Sequence, residues 1–132
     1  MGNELIATDK NRAVSVLKHT DLSDIIKPMI REIHLFDTYV AGTTHLKDQS
    51  VLDAVHVGDE LVLRREDNEY DKNAILVLGA QNKKLGYVPE KDNVVFSRLM
   101  DAGKKLSAKI SKIEPKSERF TAIEIGIYLI DL

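Results

Sequence analysis

The hydrophobic pattern of this chain opens at a helical period and then changes to a period of two. Leu22, Ile25, Ile26, Met29, Ile30 and Ile33 recur at i, i+3, i+4 spacing behind Thr20-Asp21-Leu22-Ser23-Asp24, a run rich in helix-capping side chains. A short helix is predicted there. Pro28 falls within it and would remove a hydrogen bond and clash with the preceding turn, so the helix either ends near Lys27 or begins at Pro28. Residues 1–20 carry no sustained period, and the chain is read as a leader over 1–32 and a β-rich domain over 33–132.

From Ile33 to Gly42 the pattern alternates, with His34, Phe36, Thr38 and Val40 on one face and Ile33, Leu35, Asp37, Tyr39 and Ala41 on the other. This is the first predicted strand. Gly58-Asp59 turns the chain into Glu60–Arg65, where Leu61 and Leu63 face one way and Val62 and Arg64 the other. The polar loop from Asp67 to Asn73 leads into Ala74-Ile75-Leu76-Val77-Leu78, short and apolar enough for a buried strand. Gln81-Asn82-Lys83 makes a hairpin-like turn into Lys84-Leu85-Gly86-Tyr87-Val88, which Pro89 ends because proline cannot donate to a ladder. Val94, Val95, Arg98, Leu99 and Ala102 predict a helix from Glu90 to Ala102, stopped by Gly103. Two last strands, near Leu106–Ile113 and Phe120–Leu129, flank a turn at Glu114-Pro115-Lys116-Ser117-Glu118. The predicted fold is mainly β: a small antiparallel barrel, OB-like or SH3-like, with one or two short helices, one of them plugging an open end.

Composition narrows the classes of function. At 132 residues there is room for one core, and 43% hydrophobic with 30% charged residues is the balance of an ordered domain. There is no cysteine, which removes disulfides, thiolate metal sites and cysteine nucleophiles. No positive segment leads into an apolar stretch at the start, and no apolar run approaches the ~18–20 residues that span a bilayer, so a cytoplasmic, membrane-free protein is expected. The net charge of −2 hides a segregation: Gln81 to Arg119 holds ten Lys or Arg against five Asp or Glu, a local +5 that leaves −7 elsewhere. Such a run is either a solvated face or an electrostatic footprint.

Catalytic constellations are not found. His19, His34, His45 and His56 form no H-x₃-H or HExxH pair, which leaves no metal expected. Neither Gly-x-Ser-x-Gly nor a phosphate-cradling glycine loop occurs, so no triad, nucleotide cofactor or ATP hydrolysis is expected. A binding surface remains. Tyr70 and Asp71 in the central loop, Tyr87 in the next strand and Lys91 at the helix start converge if the strands pair as neighbours. Rings beside cations are what single-stranded nucleic acid requires, since ring faces stack on bases while cations meet phosphates. An acid there suits a sugar hydroxyl at a strand end. Aromatics in turns also cap cores, and both readings stand on the residues alone.

Four strings carry a resemblance. They are Val40-Ala41-Gly42-Thr43-Thr44-His45, Gly58 to Glu66, Asn68-Glu69-Tyr70-Asp71-Lys72-Asn73-Ala74-Ile75, and Leu85-Gly86-Tyr87-Val88-Pro89, with the Arg98 to Gly103 helix end behind them. Together they resemble the HIRAN domain over roughly Leu35 to Leu129. The resemblance implies an OB-like barrel that grips the 3′ end of single-stranded DNA. It implies that Tyr70 stacks on the terminal nucleotide, Asp71 binds the 3′-hydroxyl, Lys91 meets phosphate and Phe120 adds a stacking ring, with Lys72 and Tyr87 beside them. End-binding members place an Arg and consecutive tyrosines after the first-strand glycine. This chain has Thr43-Thr44-His45-Leu46 there, which leaves Thr44 and the ring of His45 as its contribution. The expected function is a non-catalytic DNA-binding module in DNA repair or processing, working beside a helicase or nuclease. A protein-interaction adaptor on the same scaffold is the alternative.

Overall fold

The computed structural model describes residues 30–131, and the helix expected over 20–30 lies almost wholly outside them. Among the described residues six strands form: β1 Arg31–Tyr39, β2 Glu60–Arg65, β3 Ile75–Leu78, β4 Lys84–Tyr87, β5 Lys105–Ser117 and β6 Phe120–Asp131. They make one sheet in the order β1-β6-β5-β2-β3-β4. Antiparallel registers run from Val62↔Leu78 to Arg65↔Ile75 between β2 and β3, and from Lys105↔Ile130 to Ser117↔Phe120 between β5 and β6. The alternation read in β2 holds, with Leu61 and Leu63 buried and Glu60, Val62 and Arg64 exposed. All four residues of β3 are buried, as its unbroken apolar run requires.

The sheet is not a continuously laddered barrel. Its two outer strands meet through one isolated bridge, in which Ala41 N donates to Tyr87 O (2.8 Å) and Tyr87 N donates to Ala41 O (2.9 Å). Gly86 makes that approach feasible, because a Cβ there would lie 2.2 Å from the Ala41 carbonyl oxygen. Only a residue without a side chain fits. Inside lie Leu61, Val77, Leu85, Ala108, Ile123 and Ile125 with their neighbours on the same strands.

Among the described residues there is one α-helix, α1 (Glu90–Asp101), which follows β4 and packs on β1. Its Phe96 ring lies 5.7 Å from that of Phe36 on β1, and the Thr38 hydroxyl donates to Asp92 (2.8 Å). The helix ends as the sequence predicts: Gly103 takes φ 93°, its N–H bonds the Met100 carbonyl, and Lys104 N–H bonds that of Leu99, a Schellman pair. Its buried face is different from the predicted one. Asn93, Phe96 and Ser97 point inward while Val94 and Val95 are exposed. Two polar residues on the inner face mask the stripe, and each is buried because it has a hydrogen-bond partner there.

Two further corrections concern β1 and the last hairpin. His34 does not share surroundings with Phe36, Thr38 and Val40: it bonds Asp37 (2.7 Å) and packs edge-on against Tyr128. The turn expected at Glu114–Glu118 is shorter, because β5 runs through Pro115 to Ser117. The ladder shifts register between Pro115 and Ser117, and an irregularity of that kind is where a strand tolerates proline. Three 3-10 turns, Thr43–His45, Gln49–Ala54 and Ala80–Asn82, leave no periodic trace in the sequence.

Candidate nucleic-acid interface

The loop between β2 and β3 is held by its own polar side chains. Asn68 Oδ1 accepts from the N–H groups of Tyr70 (2.8 Å) and Asp71 (3.3 Å), and its Nδ2 donates to Glu66 (2.9 Å). These are Asx-type turns, in which a short amide side chain substitutes for a backbone acceptor. Asp71 divides its carboxylate between Asn73 N–H (2.9 Å) and the side-chain amide of Asn93 on α1 (2.8 Å). Asn73 in turn accepts from the buried Ser97 hydroxyl (3.1 Å). Arg65 completes the brace by donating to the carbonyls of Lys72 and Ala74 and to the carboxylate of Asp101 (2.9 and 3.2 Å). That guanidinium holds the Asp101 carboxyl below its ordinary range, chiefly by hydrogen bonding.

The consequence is a sorting of side chains. Asp71 and Asn73 turn to the helix, whereas Tyr70 stands 90% exposed and Lys72 faces solvent beside it. Tyr87 lies on the other side of Glu66, donating its hydroxyl to that carboxylate (2.9 Å), while Lys84 sits 4.5 Å above its ring. Gly42, with φ 79°, starts the turn that carries Thr44 and His45, both exposed, next to Tyr87 across the closing bridge.

Lys91 and Phe120 belong to a different part of the surface. They share a groove of about 540 Å³ with Phe36 and Tyr39, and Lys91 Nζ lies 5.5 Å over the Tyr39 ring. The first turn of α1 connects the two parts, since Lys91 faces the groove and Asn93 holds Asp71. Thus Tyr70, Asp71 and Lys72 form one cluster, Lys91 and Phe120 a second, and Thr44, His45 and Tyr87 border the first. Sequence reasoning missed Asn93, Glu66 and Tyr39. Asn93 was readable only as a helix residue, and Tyr39 only as one position in an alternating strand.

A larger cavity, about 1030 Å³, lies between the Gln49–Ala54 turn, β2 and the Ala80–Asn82 turn and holds none of these residues. Among the described residues no group of three or more His, Cys, Asp or Glu is placed to hold a metal, and no helix is long and apolar enough to cross a membrane.

The architecture is that of a small, mainly β domain whose sheet wraps until its edges touch at one bridge. A sequence model of the HIRAN domain matches residues 33–129, and the chain belongs to that family. Two solved structures are similar. A crystal structure of a protein from Lactobacillus plantarum shares 28% identity at a TM-score of 0.70, covering 78% of this chain and 99% of that one. The HIRAN domain of human HLTF shares 17% identity at a TM-score of 0.59, covering 75% of this chain and 78% of that one, and shows the fold. No curated protein matches the chain significantly.

Proposed function

We propose that this chain is a non-catalytic module that binds single-stranded DNA and recognises its 3′ end at the loop between β2 and β3, within DNA repair or processing. The observation that carries the reading is a ring held out to solvent on a braced loop. Tyr70 is 90% exposed, so it contributes almost nothing to the core, yet its own N–H and those of its neighbours Asp71 and Asn73 donate to fixed side-chain acceptors. A rigid exposed ring loses little entropy when a base stacks on it. Family membership agrees with this use, as the sequence resemblance implies it.

Asp71 takes the sugar end. Each of its oxygens has one donor within the protein, and an ionised carboxylate oxygen accepts more than one, which leaves a lone pair for a 3′-hydroxyl. A 3′-phosphate brought to the same carboxylate meets like charge and offers no equivalent donor. Lys72 beside the ring and Lys91 at the start of α1 meet phosphates. Thr44 and His45 border the strand's path, and Tyr87 fixes Glu66, which orients Asn68. A helicase or nuclease would supply the chemistry that this chain's residues do not.

Fluorescence anisotropy at low salt tests this, with labelled single strands ending in a 3′-hydroxyl or a 3′-phosphate and a blunt duplex beside them. The 3′-hydroxyl strand binds most tightly, added salt weakens it, and Tyr70→Ala lowers affinity by roughly 5- to 150-fold, the equivalent of ~1–3 kcal/mol per stacked base. Equal affinity for both termini refutes end recognition. Failure to bind any strand refutes DNA binding and favours the adaptor role.

A further inference from the structure

We propose that Asn93 is a positioning residue of the terminal site: its side-chain amide aims the Asp71 carboxylate without neutralising it, and the preference for a 3′-hydroxyl over a 3′-phosphate depends on that hold. This rests on the reading of Asp71 as the acceptor for the terminal hydroxyl. Asn93 is 2% exposed, so it acts through Asp71 and does not touch the strand. Its Nδ2 donates to Asp71 Oδ2 (2.8 Å), while Asn73 N–H donates to Oδ1 (2.9 Å). The second bond alone would leave the carboxylate to turn about χ2, a broad torsion in aspartate. The first comes from a different element, the helix, and stops that turn.

The residue type matters as much as its place. Asparagine is a poor helix former, and a helix position that faces a core is filled more favourably by an apolar side chain. Packing alone does not call for an amide at position 93. A lysine or arginine there would pair with Asp71 and cancel the charge that turns a 3′-phosphate away. An apolar side chain would leave Oδ2 without its donor. An amide supplies direction and no charge.

Ser97 stands one helical turn further along the same inner face and reaches a different loop residue. It is fully buried, and its hydroxyl donates to Asn73 Oδ1 (3.1 Å). The helix thus grips the loop at two alternate positions, Asp71 and Asn73, and only the grip by Asn93 is on the group that meets the terminal sugar. Loss of Ser97 loosens the loop, whereas loss of Asn93 also frees the carboxylate.

The experiment measures a selectivity ratio: the affinities of otherwise identical single strands ending in a 3′-hydroxyl or a 3′-phosphate, each competing with a labelled strand at neutral pH and low salt. Wild type prefers the hydroxyl by roughly 10- to 150-fold, the worth of a hydrogen bond to a charged group. Asn93→Leu keeps the volume without the donor, and Asn93→Ser, one bond too short to reach Asp71, replaces it where the leucine variant does not fold, as circular dichroism reports. Either variant lowers the ratio by about tenfold or more and still binds single strands through Tyr70. Ser97→Ala is less stable and keeps the wild-type ratio. A folded Asn93 variant with the wild-type ratio, or a Ser97→Ala protein that loses the ratio as fully, overturns the positioning role and leaves the terminal site standing. A wild type that binds both termini equally, or neither, refutes the reading of Asp71 itself.

Discussion

Asp71 has a structural task as well as the proposed one. Its carboxylate is the acceptor for Asn73 N–H and for the amide of Asn93, which is 2% exposed and has no access to water in exchange. Removing that acceptor leaves a buried donor unsatisfied, at a cost of about 1–3 kcal/mol. Asp71→Ala is therefore expected to lower the urea midpoint by that equivalent, whatever it does to DNA, and its binding must be measured where it is folded. Asp101 gives a second residue-level expectation. Its carboxyl is depressed by Arg65, so the pair's contribution is present above the unfolded carboxylate pKa of ~3.9 and is lost as pH falls through the lower folded value. Asp101→Asn removes this acid-side loss, so the acid unfolding curves of the two proteins draw together as pH falls below about 3.9 and meet only beneath the lowered folded value. Tyr70, Asp71 and Lys72 were legible from the sequence because they sit together in one polar loop. Asn93 was not, because its importance comes from a partner 22 positions away that only packing brings near.

The strands were read with little error because they alternate or run apolar, and α1 because glycine punctuates its end. Its buried face was misassigned, since periodicity weighs apolar side chains and the inner face carries Asn93 and Ser97. Pro115 misled for the opposite reason: a proline signals a turn, but at a register shift in the β5–β6 ladder it fits a strand. The closing bridge leaves one sharp element-level prediction. A Cβ on Gly86 would meet the Ala41 carbonyl oxygen at 2.2 Å and Val40 Cγ1 at 2.7 Å, both on the segment that must pair with Tyr87. Gly86→Ala is expected to cost about 3 kcal/mol or more in chemical denaturation, and an effect under about 1 kcal/mol would show that the bridge is dispensable.

At the scale of the whole described unit, the sheet, the helix and the braced loop serve one arrangement. The sheet wraps until Ala41 meets Tyr87, the helix spans β1 and the β2–β3 loop through Asp92 and Asn93, and Tyr70 is left outside. A chain with a net charge of −2 needs no basic face overall for this, because the proposed site uses two lysines and ring stacking rather than a positive track. The most direct measurement is amide chemical-shift mapping of the labelled protein with a short 3′-hydroxyl single strand. The account predicts shifts concentrated at Tyr70, Asp71 and Lys72 and at Lys91 to Asn93, with the β2 face around Val51 and Leu61 unchanged. Shifts gathered at the cavity that Val51 and Leu61 line, or none at saturating strand, would contradict it.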